Sequence, residues 1–324
     1  MKVSKQKIIR WILALVLVLA LIFLALNRQW VYDFARGMIY NPTPEMAKIH
    51  DSLSLTSRGD FLFRATWPKL SDKEEFNSNC RVDGEEIAIL GCYTGGNIYI
   101  FDITDDRLGG IRELTTAHEL LHANFARMSN VEKDNLRQSL EKVYQDNIET
   151  LEDDLNTYDS EERFEELYVR AGTEVKSLPQ ELEKHYAEIF EDQDNVVAYY
   201  DKYISVFRAI EAELDTLQNE MQTISGDIDN KTAEYENRVE SLNAEIASFN
   251  NCAETAGCFT SQWEFNTRRN ALIAEQNALE ALYQEIDDLI EEYNIRVEKY
   301  NEDVLESEKL NSIINSNEKT QEIE

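Results

Sequence analysis

The sequence predicts an α+β domain followed by a long antiparallel α-helical coiled-coil hairpin, after one N-terminal transmembrane helix. An apolar run lies near the N-terminus, all four prolines precede residue 180, and two heptad patterns follow residue 203. Because proline and glycine mark turns, the first part of the chain should contain short elements and the second part long helices. We place the α+β domain at 28–192, the hairpin at 193–312 and a disordered tail at 313–324.

The N-terminal segment is predicted to anchor the chain in a membrane. Residues 11–26 contain no polar side chain, and two isoleucines just upstream extend the run towards the length needed to cross a bilayer. We expect a transmembrane anchor at 8–27 after a cytoplasmic tail at 1–7, because lysines and one arginine precede the apolar run. The rest of the chain is then extracytoplasmic. A cleaved signal peptide is the rival interpretation, but no clear A-x-A site precedes Asn27.

The cysteines agree with an external location. The chain has four, in two short-range pairs, Cys80 with Cys92 and Cys252 with Cys258. An even number in close pairs predicts two disulfides in an oxidising compartment. A four-cysteine zinc site is the weaker alternative, because neither pair has the C-x2-C spacing.

The net charge limits the possible partners. It is −31 for the whole chain, and residues 1–32 hold five basic residues and no acidic ones, so the remainder is more acidic still. Such a surface excludes nucleic acid and anionic membrane surfaces as partners of the extracytoplasmic part.

The α+β domain is predicted to open with strands. Runs rich in β-branched and aromatic residues occur near 60–66, 86–91 and 97–103. Further along, Ser129 or Asn130 can cap a long amphipathic helix. Its apolar stripe has helical spacing and consists of Leu136, Leu140, Val143, Tyr144, Ile148, Leu151 and Leu155.

The C-terminal part shows two heptad patterns, at 203–250 and 265–304, on either side of a loop at 250–262. Lys231 and Arg238 are polar interruptions in the apolar seam of the first pattern. Two such arms, each about 70 Å long at 1.5 Å per residue, predict an antiparallel hairpin whose tip is closed by the second cysteine pair. Pairing with a coiled-coil partner or a second copy of the chain is an alternative that does not exclude the hairpin.

The residues with the clearest chemical meaning are His118-Glu119-Leu120-Leu121-His122, an HExxH pentapeptide. Histidines at i and i+4 lie on one helical face, so both imidazoles can bind a single metal ion. The glutamate between them can take a proton from a water molecule at that ion. Apolar neighbours predict that this helix is buried, and buried histidines need partners.

The surroundings of the pentapeptide resemble the zincin metallopeptidases. Residues 97–103 predict a strand, Gly109-Gly110 breaks the chain, and Thr115 or Thr116 can cap the helix that carries the motif. The resemblance implies an α+β zincin-like metallopeptidase domain, Zn2+ as the cofactor, a protein or peptide substrate and Glu119 as the general base.

A third zinc ligand is needed beside His118 and His122. The pattern HExxHxxGxxH of the metzincins is absent, whereas gluzincins take a glutamate from a downstream helix, and the chain resembles that arrangement. Glu166 is our choice, because it lies near the apolar face of a helix predicted at about 160–171 that ends at Gly172.

Other residues of the downstream segment remain open for roles in the site. Glu174 and His185 are alternative third ligands, whereas Glu162 and Glu165 are expected to be solvated. The candidates for an oxyanion-stabilising donor are Tyr168, Arg170, His185 and Tyr186.

The sequence therefore predicts an enzyme, a membrane-anchored extracytoplasmic zinc metallopeptidase. The alternative is a non-catalytic cell-envelope scaffold or interaction protein that acts through its coiled coil.

Overall fold

A computed structural model of the chain describes residues 5–80, 89–156, 158 and 160–316. The described residues are mostly helical, with one small sheet and two long helices that pack together, which confirms these parts of the predicted architecture. The chain divides into two compact units, the first formed by Met1–Val206 with Asn311–Glu324 and the second by Phe207–Leu310.

The first unit begins with two helices, α1 (Lys5–Leu26) and α2 (Arg28–Ile39), separated by Asn27 alone. The apolar side chains of α1 from residue 11 onwards are exposed. Among the described residues, no single helix has both the length and the apolar character to cross a membrane. The segments Trp11–Leu26 and Arg28–Ile39 have both properties only as a pair, and they are bent by 83°.

A three-stranded sheet, in the order β1-β3-β2, consists of β1 (Lys69–Ser71), β2 (Gly91–Thr94) and β3 (Asn97–Phe101). Strand β1 pairs with β3 in parallel and β2 pairs with β3 antiparallel. Gly95 and Gly96 both have positive φ, as a two-residue hairpin turn requires. The strand predicted at 97–103 is present as β3, which ends at Phe101. Of the strand predicted at 86–91, residues 86–88 lie outside the described part of the chain, and β2 begins only at Gly91.

The strand predicted at 60–66 is wrong, because these residues belong to helix α4 (Ser57–Thr66). The Thr56 side chain caps this helix by accepting a hydrogen bond from the Gly59 N–H at 3.1 Å. The helix buries residues at helical spacing, namely Gly59, Leu62, Phe63 and Thr66. A short run of aromatic and aliphatic residues is compatible with either structure, and here the cap and the burial favour the helix.

The remaining helices of the first unit follow, and most of them contribute side chains to one apolar core that includes Ile98 and Ile100 of β3. They are α3 (Pro44–Ser52), α5 (Lys73–Asn79), α6 (Ile111–Phe125), α7 (Asn130–Asp146), α8 (Ile148–Leu155), α9 (Ser160–Glu174) and α10 (Gln180–Tyr186), with a 3-10 turn at Asp106–Leu108 before α6.

Two predicted helix boundaries differ from the structure. The predicted amphipathic helix is capped by Ser129 in a capping box with Glu132, but it breaks at Asn147 into α7 and α8. Gly172 does not end α9. A Cβ atom at Gly172 would lie 2.5 Å from a Leu121 methyl carbon and 2.7 Å from the Tyr186 ring. This glycine therefore serves close helix packing rather than helix termination.

Both predicted disulfides are present. Cys80–Cys92 joins the end of α5 to β2 across a Cα–Cα distance of 5.8 Å, and Cys252–Cys258 closes the loop between the two long helices.

The second unit, Phe207–Leu310, is an antiparallel pair formed by most of the two long helices, α11 (Gln193–Glu254) and α12 (Gln262–Ile314). The polar interruptions of the seam pair across it, Lys231 with Glu285 at 2.6 Å and Arg238 with Glu275 at 2.8 Å. Lys231 precedes Arg238 on α11, whereas the partner Glu285 follows the partner Glu275 on α12. The two helices therefore run antiparallel. Charged side chains within the seam are thus matched by opposite charges.

The end of α12 returns to the first unit. The Ser316 hydroxyl donates to the Ile89 carbonyl at 2.9 Å, and the Asn77 amide donates to the Ser316 carbonyl at 2.7 Å. Ser316 is thereby fully buried. Of the tail predicted at 313–324, residues 317–324 lie outside the described part of the chain.

Candidate metal centre

Helix α6 carries the HExxH residues through the middle of the first unit. It begins after Gly110, whose φ is 99°, and not at Thr115 or Thr116 as predicted. Thr116 instead donates to the Arg112 carbonyl inside the helix at 2.7 Å. Both threonines, like Ala117, Leu120 and Leu121, are buried. The helix therefore has fixed surroundings, and His118 and His122 keep one orientation relative to α9.

Three ligand atoms converge between α6 and α9. His118 Nε2 and His122 Nε2 lie 3.3 Å apart, and the Glu166 carboxylate lies 3.7 Å from the first and 3.4 Å from the second. Ligands about 2.0–2.2 Å from a tetrahedral zinc ion stand about 3.3–3.6 Å apart. These three residues therefore form a group that can hold a metal ion, and they are the three ligands predicted from the sequence.

His118 and Glu166 already have the protonation states that bind a metal, whereas His122, whose pKa is raised to about 10, must lose a proton to become a ligand. Burial lowers the pKa of His118 to about 3, so this imidazole stays neutral. Burial raises the pKa of Glu166, but His118, His122 and Arg170 outweigh it and hold that pKa well below its usual range. A neutral imidazole and an ionised carboxylate are the forms that bind a metal.

Glu165 fixes the orientation of His122. The Nδ1–H of His122 donates to the Glu165 carboxylate at 2.8 Å, which leaves Nε2 to face Glu166 and His118. Burial lowers the pKa of His122, but its hydrogen bonds with Glu165 and Glu166 raise it to about 10. Glu165 is 35% exposed, so it is partly solvated as expected, but it also bonds His122, which the sequence does not predict. A carboxylate behind a ligand histidine is a usual partner in zinc sites.

Arg170 forms a hydrogen bond with Glu166, the candidate third ligand. Its Nε donates to Glu166 Oε1 at 2.7 Å, one helical turn away on α9, and its Nη1 donates to Glu174 Oε2 at 3.5 Å. Glu174 lines the same cavity but is not in the group of three. The structure thus favours Glu166 over Glu174 as the third ligand.

His185, the other alternative, lies in a different cluster. Tyr168 accepts a hydrogen bond from the Asn124 amide at 2.8 Å and lies 3.0 Å from His185 Nε2. The Tyr186 hydroxyl donates to the Tyr168 carbonyl at 2.6 Å. Among the four predicted oxyanion donors, Arg170 alone lines the cavity at the metal group.

The His185 cluster predicts a pH dependence of stability. Burial lowers the pKa of His185, and the Tyr168 hydroxyl can donate to Nε2 only while that nitrogen is unprotonated. The unfolded chain binds this proton more readily, so the contribution to stability is complete above about pH 6.5 and is lost as the pH falls below it. We expect the difference in unfolding free energy between the native chain and His185→Gln to narrow from pH 8 to pH 5. Denaturant unfolding of both chains at each pH measures this difference in free energy, and a difference that stays constant from pH 8 to pH 5 would contradict the prediction.

Glu119 lies beside the metal group and is 5% exposed. Burial raises the pKa of its carboxyl to about 7, while a hydrogen bond from the Tyr93 backbone opposes that change. The contact with β2 depends on Gly91, since a Cβ atom there would lie 2.7 Å from Glu119 Oε1 and 2.6 Å from Thr115. A carboxyl that titrates near neutrality can both accept and release a proton.

A cavity of about 350 Å³ opens onto these side chains. Its polar wall includes His118, Glu119 and Glu166, together with Arg170 and Glu174. Its other wall includes apolar and aromatic side chains of the first unit, namely Ile89, Leu90, Tyr158, Tyr200, Tyr203 and Ile204. Such a volume suits one or two side chains of a bound molecule.

Comparisons with described protein families, with curated proteins and with solved structures find no match to this chain.

Sequence reasoning missed two residues of the site, Glu165 and Gly91. The role of Glu165 could have been predicted from the sequence. Its neighbour Glu166 is a candidate ligand, and a ligand histidine commonly bonds a carboxylate through its second ring nitrogen. Nothing in the sequence predicts the role of Gly91, since that role depends on the close approach of α6 to β2.

Proposed function

We propose that this chain is a zinc-dependent metallopeptidase of the gluzincin-like type, anchored in a membrane with its catalytic domain outside the cytoplasm. The observation that carries the proposal is the convergence of His118, His122 and Glu166, whose ligand atoms lie within 4.8 Å of one another, with Glu119 beside them. Two imidazoles and one carboxylate are the ligand set of zinc peptidases such as thermolysin. The order of a strand, an HExxH helix and a glutamate-bearing helix supports a zincin-like fold for the first unit.

The residues of the site have separable tasks in this reaction. A bound zinc ion supplies a Lewis acid that polarises a carbonyl group and lowers the pKa of water. Glu119 accepts a proton from the attacking water at its carboxylate and later delivers it to the amine of the leaving group. Arg170 keeps Glu166 ionised and turned towards the two histidines.

The cavity wall supports a peptide as the substrate. Three tyrosines and several aliphatic residues face the polar group, so an apolar side chain next to the cleaved bond is accommodated. The disulfides support an oxidising compartment, in agreement with an extracytoplasmic location. The exposed apolar residues of α1 support membrane anchorage.

Metal content is the first test of the proposal. The full chain, purified in detergent and dialysed against buffer containing trace zinc, is expected to hold one zinc ion per chain. Elemental analysis by mass spectrometry measures it, with His50→Ala as the matched control, because His50 bonds Asp60 outside the site. A native chain that holds far less than one zinc ion per chain would refute the proposal.

A further inference from the structure

Helix α2 has its polar side chains turned inward, the reverse of a helix on a water-facing surface. Asp33 is 2% exposed and forms an ion pair with Arg127 at 2.8 Å. Arg36 donates to the Ala65 carbonyl at 2.7 Å and to the Asn97 side chain at 2.5 Å. These contacts bind the polar face of α2 firmly to the rest of the first unit.

The outer face of α2 is apolar and aromatic. Beyond its first turn, where Arg28 and Gln29 are exposed, the large exposed side chains are Trp30, Tyr32, Phe34, Met38 and Ile39. Trp30 stacks on Phe34 and on Phe61 of α4, so the apolar surface continues beyond the helix. Neighbouring apolar residues on an exposed helix face mark a surface that is covered by something other than water.

We infer that this face of α2 docks the first unit onto the lipid bilayer as an interfacial helix. Only Asn27 separates α2 from α1, and the two helices are bent by 83°. With α1 crossing the membrane, the bend lays α2 along its surface, at the depth where tryptophan and tyrosine side chains are favoured. Arg28 is then placed at the level of the phospholipid headgroups. The inference uses the membrane anchorage proposed above and needs no part of the catalytic proposal.

The docking helix is also connected to the candidate metal centre. Arg127, which pairs with Asp33 of α2, donates to the Tyr93 hydroxyl at 2.8 Å. The Tyr93 backbone in turn bonds Glu119. An α2 helix held flat on the membrane therefore sets the orientation of the cavity relative to the lipid surface.

Photocrosslinking of the full chain in phosphatidylcholine vesicles tests the inference. A benzophenone amino acid replaces either Met38 or Val131, which are 73% and 69% exposed. Val131 is the matched control, because its exposed neighbours on α7, Asn130, Glu132 and Asp134, are polar. We expect the yield of phospholipid adducts from position 38 to exceed that from position 131 by roughly tenfold or more. Equal yields would overturn the inference, and so would crosslinks from position 38 to a second copy of the chain.

A second variant separates docking from anchorage. With the photoreactive group at Phe34, the double change Met38→Glu and Ile39→Glu is expected to lower the phospholipid adducts by roughly tenfold, because glutamate is disfavoured in lipid. Both positions are exposed, so the core is unaffected. The chain should still float with the vesicles in a density gradient through α1. An unchanged adduct yield, or a native chain that does not float, would refute docking, and neither result depends on zinc or hydrolysis.

Discussion

Glu119→Gln is expected to slow peptide hydrolysis by about 10²–10⁴-fold while the chain keeps its zinc and its fold. Glutamine has the shape of glutamate and can still accept the hydrogen bond from the Tyr93 backbone, but it cannot take a proton from water. Because Glu119 is not among the three converging ligands, the metal should remain. The measurement is the cleavage rate of a fluorogenic peptide mixture, together with zinc content and thermal unfolding of the same sample.

Glu113→Gln is the matched control for this change. Glu113 lies on the same helix, is partly exposed, and lines a different cavity from the metal group. This variant should hydrolyse peptides at the native rate. If Glu119→Gln also kept the native rate, Glu119 would not be the general base, and a native chain that binds zinc but cleaves nothing would favour the scaffold alternative.

The metal ligands could be predicted because their spacing is local. His118 and His122 are brought together by one helical turn, so the pentapeptide alone places both nitrogens on one face. Glu166 could be ranked above Glu174 because it lies beside the apolar residues that pack α9 against α6. The structure brings the three side chains together as this argument requires.

Residues whose roles depend on packing could not be predicted in the same way. The function of Gly91 and Gly172 is to let neighbouring elements approach, and nothing in the local sequence distinguishes such a glycine from one in a turn. The run at 60–66 was misread because three consecutive apolar residues show no period. In the second unit, by contrast, the long heptad pattern predicts both helices and places Lys231 and Arg238 as polar interruptions of their seam, while the acidic partners of these two residues come from the structure alone.

Glu166→Ala is expected to lower zinc affinity by several orders of magnitude, because it leaves two histidines to hold the ion. Glu165 and Glu174 provide a graded comparison on the same helix. Glu165 contacts His122 but not the ion position, so Glu165→Ala should cost about 10–100-fold in affinity, as expected for a partner of a ligand histidine. Glu174→Ala should have a smaller effect, since Glu174 contacts Arg170 and is not one of the three converging ligands.

Competition with a zinc chelator of known affinity measures the zinc affinity of each of the three variants. The order of the three losses in affinity tests the geometry of the site independently of catalysis. The order Glu166, Glu165, Glu174 follows from distance, because Glu166 lies within 3.7 Å of both histidine nitrogens whereas the others reach the site through one further side chain. A larger loss for Glu174→Ala than for Glu166→Ala would mean that Glu174 is the third ligand. Arg170 lies between the two glutamates and contacts both, so such a result would also require it to turn away from Glu174 when the metal binds.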